Sequence, residues 1–218
     1  MNKPYSYEYP RPALTADIIA LRWKDNQLEV LLILRGNEPF KDYWALPGGF
    51  VNEGESPAKA AARECLEETS VSVRDEDLIE IGCFASPHRD PRGWNASIAF
   101  LALLPSNTEA QSGDDASATK WVPWNTIFDD TIPLAFDHLD ILQKTQERLK
   151  TLSLTTPQLT KLFEVPFRTR HIRYLYRQLW GEMVTPRSFK AWVRKVDMVE
   201  RVGRSLFKAK GHLRLPWI

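Results

Sequence analysis

The chain has 218 residues, of which 43% are hydrophobic and 26% are charged, and this length allows one large domain or two small domains with packed cores. Its longest apolar run covers residues 98–104, far short of the roughly 20 residues that cross a membrane. The start shows no apolar signal segment, so we expect a cytoplasmic protein. The two cysteines, Cys65 and Cys83, exclude a disulfide framework.

The charge is unevenly distributed along the chain, although the formal net charge is only +1. Residues 1–150 contain 15 Lys and Arg against 24 Asp and Glu, a balance of −9, whereas residues 151–218 contain 14 against 4, a balance of +10. This asymmetry predicts an acidic domain over residues 1–150 and a basic domain over residues 151–218. A basic domain of this kind often meets nucleic acid; the alternative is that it packs on the acidic part or forms a dimer interface.

Runs of apolar and β-branched residues predict the strands of the first domain. Residues 13–23 and 28–35 are separated by four polar residues, which is typical of a β-hairpin. Residues 44–50 lead into the following helix, and further strands are predicted over residues 78–85, 96–104 and 119–122. The polar, glycine-containing residues 105–118 predict a mobile surface loop.

A helix is predicted from Ser56 and Pro57 to about Thr69, because serine caps free backbone N–H groups and proline suits the first helical position. The side chains of Glu64, Glu67 and Glu68 lie within one arc about 100° wide on this helix. The opposite side carries alanines and Cys65. The helix therefore has one packing face and one acidic face.

The acidic face of this helix predicts a metal site. Carboxylates at these spacings repel one another by a few tenths of a kcal/mol per pair unless a cation lies between them. Mg²⁺ and Mn²⁺ prefer oxygen ligands and complete their shell with water and substrate phosphates, so the expected substrate is a phosphate ester or anhydride. An isolated acidic cluster, in contrast, is usually a solvated helix face.

The segment before the helix completes a known pattern. The chain resembles the Nudix box at its defining polar and glycine positions, which are Gly49, Glu55, Arg63, Glu64, Glu67 and Glu68. The resemblance implies a mixed-sheet α/β/α sandwich in which Glu64, Glu67, Glu68 and the backbone carbonyl of Gly49 bind the metal. It also implies that Arg63 pairs with Glu55 to brace the loop against the helix, so both are counted with the glutamates as candidate catalytic residues. The family's glycine after the last glutamates is replaced by Ser70.

Three further segments predict ligand contacts. Arg35 ends a strand, residues 86–94 combine cations with an acid and an aromatic, and residues 133–138 precede a predicted helix over 133–149 that is capped at Asp137. A surface charge, a charged turn and a helix cap would explain these residues equally well.

A resemblance favours the functional interpretation of these segments. The RDPRG and AFDH sequences resemble segments of Nudix proteins that handle ADP-ribose and of their regulatory relatives. The resemblance implies ADP-ribose as the ligand, with contacts from Arg35, Arg89, Arg92 and Asp137. No catalytic base is assigned beyond the glutamates of the box.

The basic part of the chain predicts a winged helix. After a linker over residues 150–160, residues 168–180 have helical periodicity and Gly181 ends this helix. A second amphipathic helix over 186–196 and a hairpin of residues 199–207 with 213–217 complete the pattern, in which the second helix enters the DNA major groove. The predicted DNA contacts are Arg187, Lys190, Arg194, Lys195 and Lys208.

This basic region resembles the C-terminal domain of Nudix-related transcriptional regulators of the NrtR type. The resemblance implies double-stranded DNA as a partner and a homodimer. Two functions therefore stay open. The first is a Mg²⁺- or Mn²⁺-dependent hydrolase that converts ADP-ribose to AMP and ribose 5-phosphate. The alternative is a regulator of NAD or sugar metabolism that senses ADP-ribose; the intact set of carboxylates favours the hydrolase, because a pure sensor does not need all three.

Overall fold

A computed structural model describes residues 7–113, 116–181, 185, 187, 199–203 and 206–209. The strands are β1 (Ala13–Lys24), β2 (Gln27–Arg35), β3 (Trp44–Ala45), β4 (Gly48–Phe50), β5 (Ile79–Phe84), β6 (Asn95–Leu104), β7 (Ala116–Pro123), β8 (Phe167–Arg168), β9 (Val199–Gly203) and β10 (Leu206–Ala209). The α-helices are α1 (Pro57–Thr69), α2 (His138–Thr155) and α3 (Thr169–Trp180), with short 3₁₀ helices at Asp75–Asp77, Trp124–Phe128 and Gln158–Leu162.

A seven-stranded mixed sheet forms the centre of the molecule. Its main order is β3-β2-β1-β6-β5, with β4 paired to β1 and β7 paired to β2. Strands β1 and β6 run parallel from the pair Ala13 and Asn95 to the pair Arg22 and Leu104, whereas β1 and β2 form the predicted antiparallel hairpin. Residues 15–23 of β1 are all buried, as expected for a central strand that is covered on both faces.

Helices cover both faces of this sheet. The side chains of β1 alternate between two cores, because Ala16, Ile18 and Ala20 share a cluster with α1, whereas Ile19 and Leu21 share one with α2. Burial of each isoleucine or leucine contributes about 1.5–3 kcal/mol. The predicted α/β/α sandwich is confirmed.

Helix α2 begins later and ends later than the sequence predicts. Residues 133–136 are not helical, because the N–H of Trp44 donates to the carbonyl of Pro133 and the N–H of Ala135 donates back to the carbonyl of Trp44. Asp137 is the residue before the helix, but its side chain caps no backbone N–H group. Asp137 thus occupies the predicted N-cap position, but its carboxylate binds Arg89 and not a backbone N–H group.

The predicted linker over residues 150–160 is largely packed structure. Helix α2 continues to Thr155, and the 3₁₀ helix Gln158–Leu162 follows. Leu152, Leu159 and Leu162 are buried in the same hydrophobic cluster as the sheet. The loop before β7 is likewise tied down, because the N–H groups of Gln111 and Gly113 donate to carbonyl oxygens at the end of α1.

The C-terminal part combines α3 with a three-stranded sheet of order β8-β10-β9. Helix α3 buries Ile172, Leu175, Tyr176 and Leu179, the apolar positions of its predicted periodicity. The observed hairpin pairs β9 with β10, so residues 199–207 do not form one strand as predicted. The predicted second helix over 186–196 lies outside the described residues except for the exposed Arg187, and residues 213–217 also lie outside them.

In the part of the chain that the structure describes, no helix is both long enough and apolar enough to cross a membrane.

Candidate active site

Helix α1 has well-defined ends that fix its acidic face. The hydroxyl of Ser56 accepts a hydrogen bond from the N–H of Lys59, and Pro57 occupies the first turn. At the other end Ser70 adopts a left-handed conformation with φ 57° and its N–H donates to the carbonyl of Leu66. Ser70 thus takes the backbone conformation that helix ends usually give to glycine.

Arg63 connects the loop before α1 to the acidic face. Its guanidinium donates two hydrogen bonds to Glu55, at 3.0 and 3.1 Å, and a third to the carbonyl of Phe50. Glu55 in turn accepts the N–H of Asn52 at 3.0 Å. Arg63 and Glu55 therefore hold the loop against the helix.

The three glutamates of α1 differ in their surroundings. Arg63 Nη1 donates to Glu64 at 2.7 Å and to Glu67 at 2.9 Å, and the Glu67 side chain is 55% exposed. Glu68 accepts the N–H of Gly48 at 2.9 Å. Burial raises the pKa of Glu64, and it raises the pKa of Glu68 to about 8, because both carboxylates lie in poorly solvated positions.

Two glycines bring the backbone against these carboxylates. A side chain at Gly49 would collide with the carboxylate of Glu64, and a side chain at Gly48 would lie 2.5 Å from both the carbonyl oxygen of Ala16 and Asp17 Oδ1. Glycine is required at Gly48 because a Cβ there would meet backbone atoms. At Gly49 a Cβ would displace the Glu64 carboxylate from its position.

The donor groups fit a divalent cation. No group of three or more His, Cys, Asp or Glu side chains is gathered for metal binding among the residues that the structure describes, since Glu64 and Glu67 bind Arg63. The half-buried Glu68 accepts a hydrogen bond from the N–H of Gly48, and this bond and the nearby charge of Arg35 only partly offset its desolvation. Burying a carboxylate is costly because the charge loses its hydration. A bound Mg²⁺ or Mn²⁺ would offset this cost, and both ions prefer oxygen ligands.

A network of buried polar groups lies beneath the glycine segment. Arg89 donates two hydrogen bonds to Asp137, at 2.8 and 2.6 Å, and lies 3.7 Å from Asp17. The Asp17 carboxylate accepts the Ser97 hydroxyl at 2.5 Å, and it lies 3.8 Å from His138 Nε2. The side chains of Arg89 and Asp137 are 4% and 11% exposed, so they hold each other rather than stand open to a ligand as predicted.

Arg35 and Arg92 lie around the ring of Phe136, with their guanidinium carbons 4.9 and 5.5 Å from its centroid. Arg92 pairs with Asp90 at 2.6 Å. Arg35 donates to the carbonyls of Pro39 and Asn37 and has no acidic partner within 4.0 Å in the described part of the chain. Burial and the nearby charge of Arg92 lower the pKa of Arg35.

Phe136 and its neighbour Phe40 both have strained backbones. Their φ angles are 53° and 62°, values that bulky residues rarely adopt, and their ring centroids lie 4.8 Å apart. Strain of this kind is concentrated at functional sites, where the surroundings hold it in place.

A NUDIX domain model matches residues 11–145, which include every residue of this site. The chain belongs to the Nudix family. It is 29% identical over 205 residues to the "ADPR responsive transcriptional repressor NtrR" of Acinetobacter baylyi, covering 93% of this chain and 80% of that protein. It is 42% identical over 135 residues to the "ADP-ribose pyrophosphatase" of Methanocaldococcus jannaschii, covering 62% of this chain and 73% of that protein.

The structure also resembles Shewanella oneidensis NrtR complexed with a 27mer DNA. The TM-score is 0.72 at 28% identity, and the match covers 90% of this chain and 93% of the other. Because residues outside the match number only about a tenth of this chain, the match must include most of residues 151–218. The Nudix protein is therefore related both to an ADP-ribose pyrophosphatase and to regulators with a C-terminal domain.

Some residues of the Nudix site were not predicted from the sequence. Asp17 and Ser97 join the network from strands β1 and β6, and Phe40 packs on Phe136. Asp17 could have been predicted, because it is an acidic residue inside the mostly apolar sequence of β1. Nothing comparable marked Ser97 or Phe40.

The predicted DNA contacts are only partly described. Arg187 is exposed, and Lys208 Nζ forms an ion pair with Glu200 at 2.6 Å across the β9–β10 hairpin. Lys190, Arg194 and Lys195 lie outside the described residues.

Proposed function

We propose that this Nudix protein is a Mg²⁺-dependent hydrolase that cleaves the phosphoanhydride of a nucleoside diphosphate derivative. The leading substrate is ADP-ribose, in which water adds to one phosphorus and the P–O–P bond breaks to give AMP and ribose 5-phosphate. The main support is the intact α1 site. Glu64, Glu67 and Glu68 lie on one helix face, and the segment Gly48–Gly49 packs closely against this face. The similarity to a named ADP-ribose pyrophosphatase supports the choice of substrate.

The metal would be held by Glu64, Glu67, Glu68 and the carbonyl of Gly49. A bound Mg²⁺ supplies charge neutralisation of the diphosphate and a water of lowered pKa. Arg63 orients two of these carboxylates while its bonds to Glu55 keep the loop in place. Mn²⁺ would fit the same donors.

The substrate would lie along the cluster of Arg35, Arg92 and Phe136. A guanidinium without an acidic partner suits a phosphate, because its planar donors match phosphate oxygens. The Phe136 ring between the two cations offers a flat apolar surface for a base or sugar. We assign Arg89 and Asp137 the task of holding this surface from below, since they already bind each other.

Detection of AMP from ADP-ribose and Mg²⁺ tests this function. We expect Glu67→Gln to lower turnover by about 100-fold or more, because losing a metal ligand removes several kcal/mol of transition-state stabilisation and each 1.4 kcal/mol is a factor of ten. The matched control is Glu147→Gln, which changes an exposed glutamate on α2 and should leave turnover unchanged. Equal turnover in the native protein and Glu67→Gln would reject the metal site.

A second candidate function is transcriptional regulation, with a Nudix domain over 1–150 that senses ADP-ribose and a winged helix over 151–218 that binds DNA. The observation in its favour is the match to the NtrR repressor and to DNA-bound NrtR over nearly the whole chain. The +10 balance of residues 151–218 suits phosphate contacts. A homodimer would suit a two-fold operator. Hydrolysis and regulation are compatible in one protein.

DNA binding can be measured by fluorescence anisotropy with the region upstream of the encoding gene. We expect Arg187→Ala with Arg194→Ala to weaken binding and to flatten its salt dependence by about 0.9 in the log–log slope per lost phosphate contact. Arg148→Ala, at an exposed position on α2, is the matched control. ADP-ribose should release the DNA; binding that is insensitive to both the paired variant and ADP-ribose would reject the regulator.

A further inference from the structure

Asp17 is a buried acid for which the proposed chemistry has no direct use. It lies in β1 with its side chain 9% exposed, inside a run of nine buried residues. A buried carboxylate is costly unless hydrogen bonds and opposite charges offset its lost hydration. In the described part of the chain, its side chain accepts a hydrogen bond from Ser97, and its nearest cation is Arg89 at 3.7 Å.

The Asp17 side chain faces three segments that carry the site. Asp17 is the register partner of Gly48, and its Oδ1 occupies the space that a Gly48 side chain would need. On another side it faces Arg89, which belongs to the loop that also carries Arg92. On a third side it faces His138, the first residue of α2.

Each of these segments is linked to the next. Arg89 binds Asp137, the residue that precedes α2. His138 Nδ1 accepts the N–H of Leu46 at 2.9 Å, so the start of α2 also holds the glycine segment. The far end of the Arg89 loop is fixed separately, since Asp90 accepts hydrogen bonds from Arg92 and Asn95. Asp17 faces all three segments with one carboxylate.

We propose that Asp17 is a positioning residue whose negative charge keeps the glycine segment, the Arg89 loop and the start of α2 aligned for ligand binding. This inference rests on the proposed function, because the aligned surface is the one assigned to ADP-ribose. The charge matters because Arg89 lies between two carboxylates, Asp17 and Asp137, and is attracted by both. A neutral amide of the same size would direct an N–H group either at the N–H and O–H groups of Arg89 and Ser97 or at the N–H of His138 Nε2, all of which face the carboxylate.

Amide hydrogen exchange on the ligand-free protein tests the alignment, and ADP-ribose affinity tests its consequence. In Asp17→Asn we expect exchange to rise at least about tenfold in peptides covering residues 46–49, 86–93 and 133–138, with no change in β7 and α3. ADP-ribose affinity should fall at least about tenfold.

Two further variants accompany this test. Ser97→Ala removes one hydrogen bond to Asp17 but keeps the charge, so it should show a smaller change in the same peptides. It replaces Asp17→Asn as the test variant if Asp17→Asn does not fold. Asp140→Asn, an exposed acid on α2, is the matched control and should match the native protein.

The outcomes separate the inference from the function on which it rests. Exchange that is unchanged, or raised equally throughout the sheet, would overturn the positioning role. Local loosening with native ADP-ribose affinity would also overturn it, because Asp17 would then serve stability alone. A native protein that does not bind ADP-ribose would reject the proposed ligand, and the exchange comparison would still decide whether Asp17 holds the three segments.

Discussion

At the scale of single residues, Ser70 shows how one backbone angle limits stability. The left-handed backbone conformation costs a residue other than glycine roughly 1–2 kcal/mol. Replacing it with glycine removes this strain, but glycine loses more chain entropy on folding, which offsets part of the gain. We therefore expect Ser70→Gly to raise the free energy of unfolding by about 1 kcal/mol, measured by urea denaturation. Ser72→Gly, at an exposed position beyond the helix, should bring no gain. A Ser70→Gly protein no more stable than the native one would contradict the strain.

His138 predicts a pH dependence of stability. Burial lowers its pKa, against the opposing effect of Asp17 and Asp137 and with a further lowering from Arg89 and Arg35. Its Nδ1 accepts the N–H of Leu46 and must be unprotonated. The unfolded chain binds this proton below about pH 6.5 while the folded chain does not, so the contribution of His138 to stability should fall as the pH drops through that value, by at most about 1.4 kcal/mol per pH unit. Glu68, whose pKa is raised to about 8, contributes a slope of the opposite sign in this range, so the His138 part is the difference between the native protein and His138→Gln.

Unfolding free energies at several pH values between 7.5 and 5.5 check this dependence. His138→Gln keeps an acceptor for Leu46 but cannot titrate, and it should lose the part of the slope that His138 contributes. His88→Gln, at an exposed position, should keep the native slope. Identical slopes in all three proteins would show that another group is responsible.

The residues of the site were predictable only as far as they are local in sequence. The spacing of Glu64, Glu67 and Glu68 fixes them on one helix face, whatever the rest of the chain does. The pairing of Arg89 with Asp137 joins residues 48 positions apart, and it depends on how the 86–94 loop meets α2. Sequence patterns do not predict how distant segments pack, so the two residues were predicted as ligand contacts and not as partners of each other.

At the scale of elements, the end of α1 depends on the loop before β7. The N–H of Gly113 donates to the carbonyl of Glu68 at 2.9 Å, and a side chain at Gly113 would overlap the carbonyl oxygen of Glu67. We expect Gly113→Ala to destabilise the fold by about 1–3 kcal/mol, as overpacked positions do. It should also weaken Mn²⁺ binding measured by electron paramagnetic resonance, because the displaced turn carries two of the glutamates.

The exposed neighbour Ser112 provides the control for this element. Ser112→Ala changes the same loop without the overlap and should leave both stability and Mn²⁺ binding as in the native protein. If Gly113→Ala behaves like Ser112→Ala, the loop does not fix the end of α1.

Elements were predicted well where the pattern is long. The apolar runs of β1, β2 and β6 and the amphipathic α3 appear close to the predicted positions, because many residues share one periodicity. The start of α2 was misplaced because Pro133 and Ala135 pair with Trp44, a contact between distant segments. The β9–β10 hairpin was misplaced because short basic strands carry little apolar pattern.

At the scale of the whole molecule, α2 and α3 join the two parts of the chain. The hydroxyl of Tyr176 donates to the carbonyl of Ser153, and Trp180 Nε1 donates to the hydroxyl of Ser153 at 3.1 Å. Gln178 binds the β1–β2 turn through the N–H of Leu28 and the carbonyl of Asn26. One hydrophobic cluster runs from the sheet through α2 to α3.

This joint predicts that Gln178 stabilises both parts together. We expect Gln178→Ala to lower the free energy of unfolding by about 1–3 kcal/mol, because it leaves the partly buried N–H of Leu28 without its acceptor. Tryptophan fluorescence and circular dichroism should still report one coincident transition. Gln143→Ala, at an exposed position on α2, should have no effect. Two separate transitions in the native protein would show that the parts unfold independently.

The packing of α3 on the first hairpin also constrains the order of events during synthesis. Trp23 packs edge-on against Phe163, with ring centroids 5.5 Å apart, and Gln178 closes the nearby turn. The hairpin is translated first, yet its covering residues follow well over a hundred positions later. We therefore expect the nascent chain to keep the end of this hairpin at Trp23 uncovered until α3 has left the ribosome, which makes this end a binding point for chaperones.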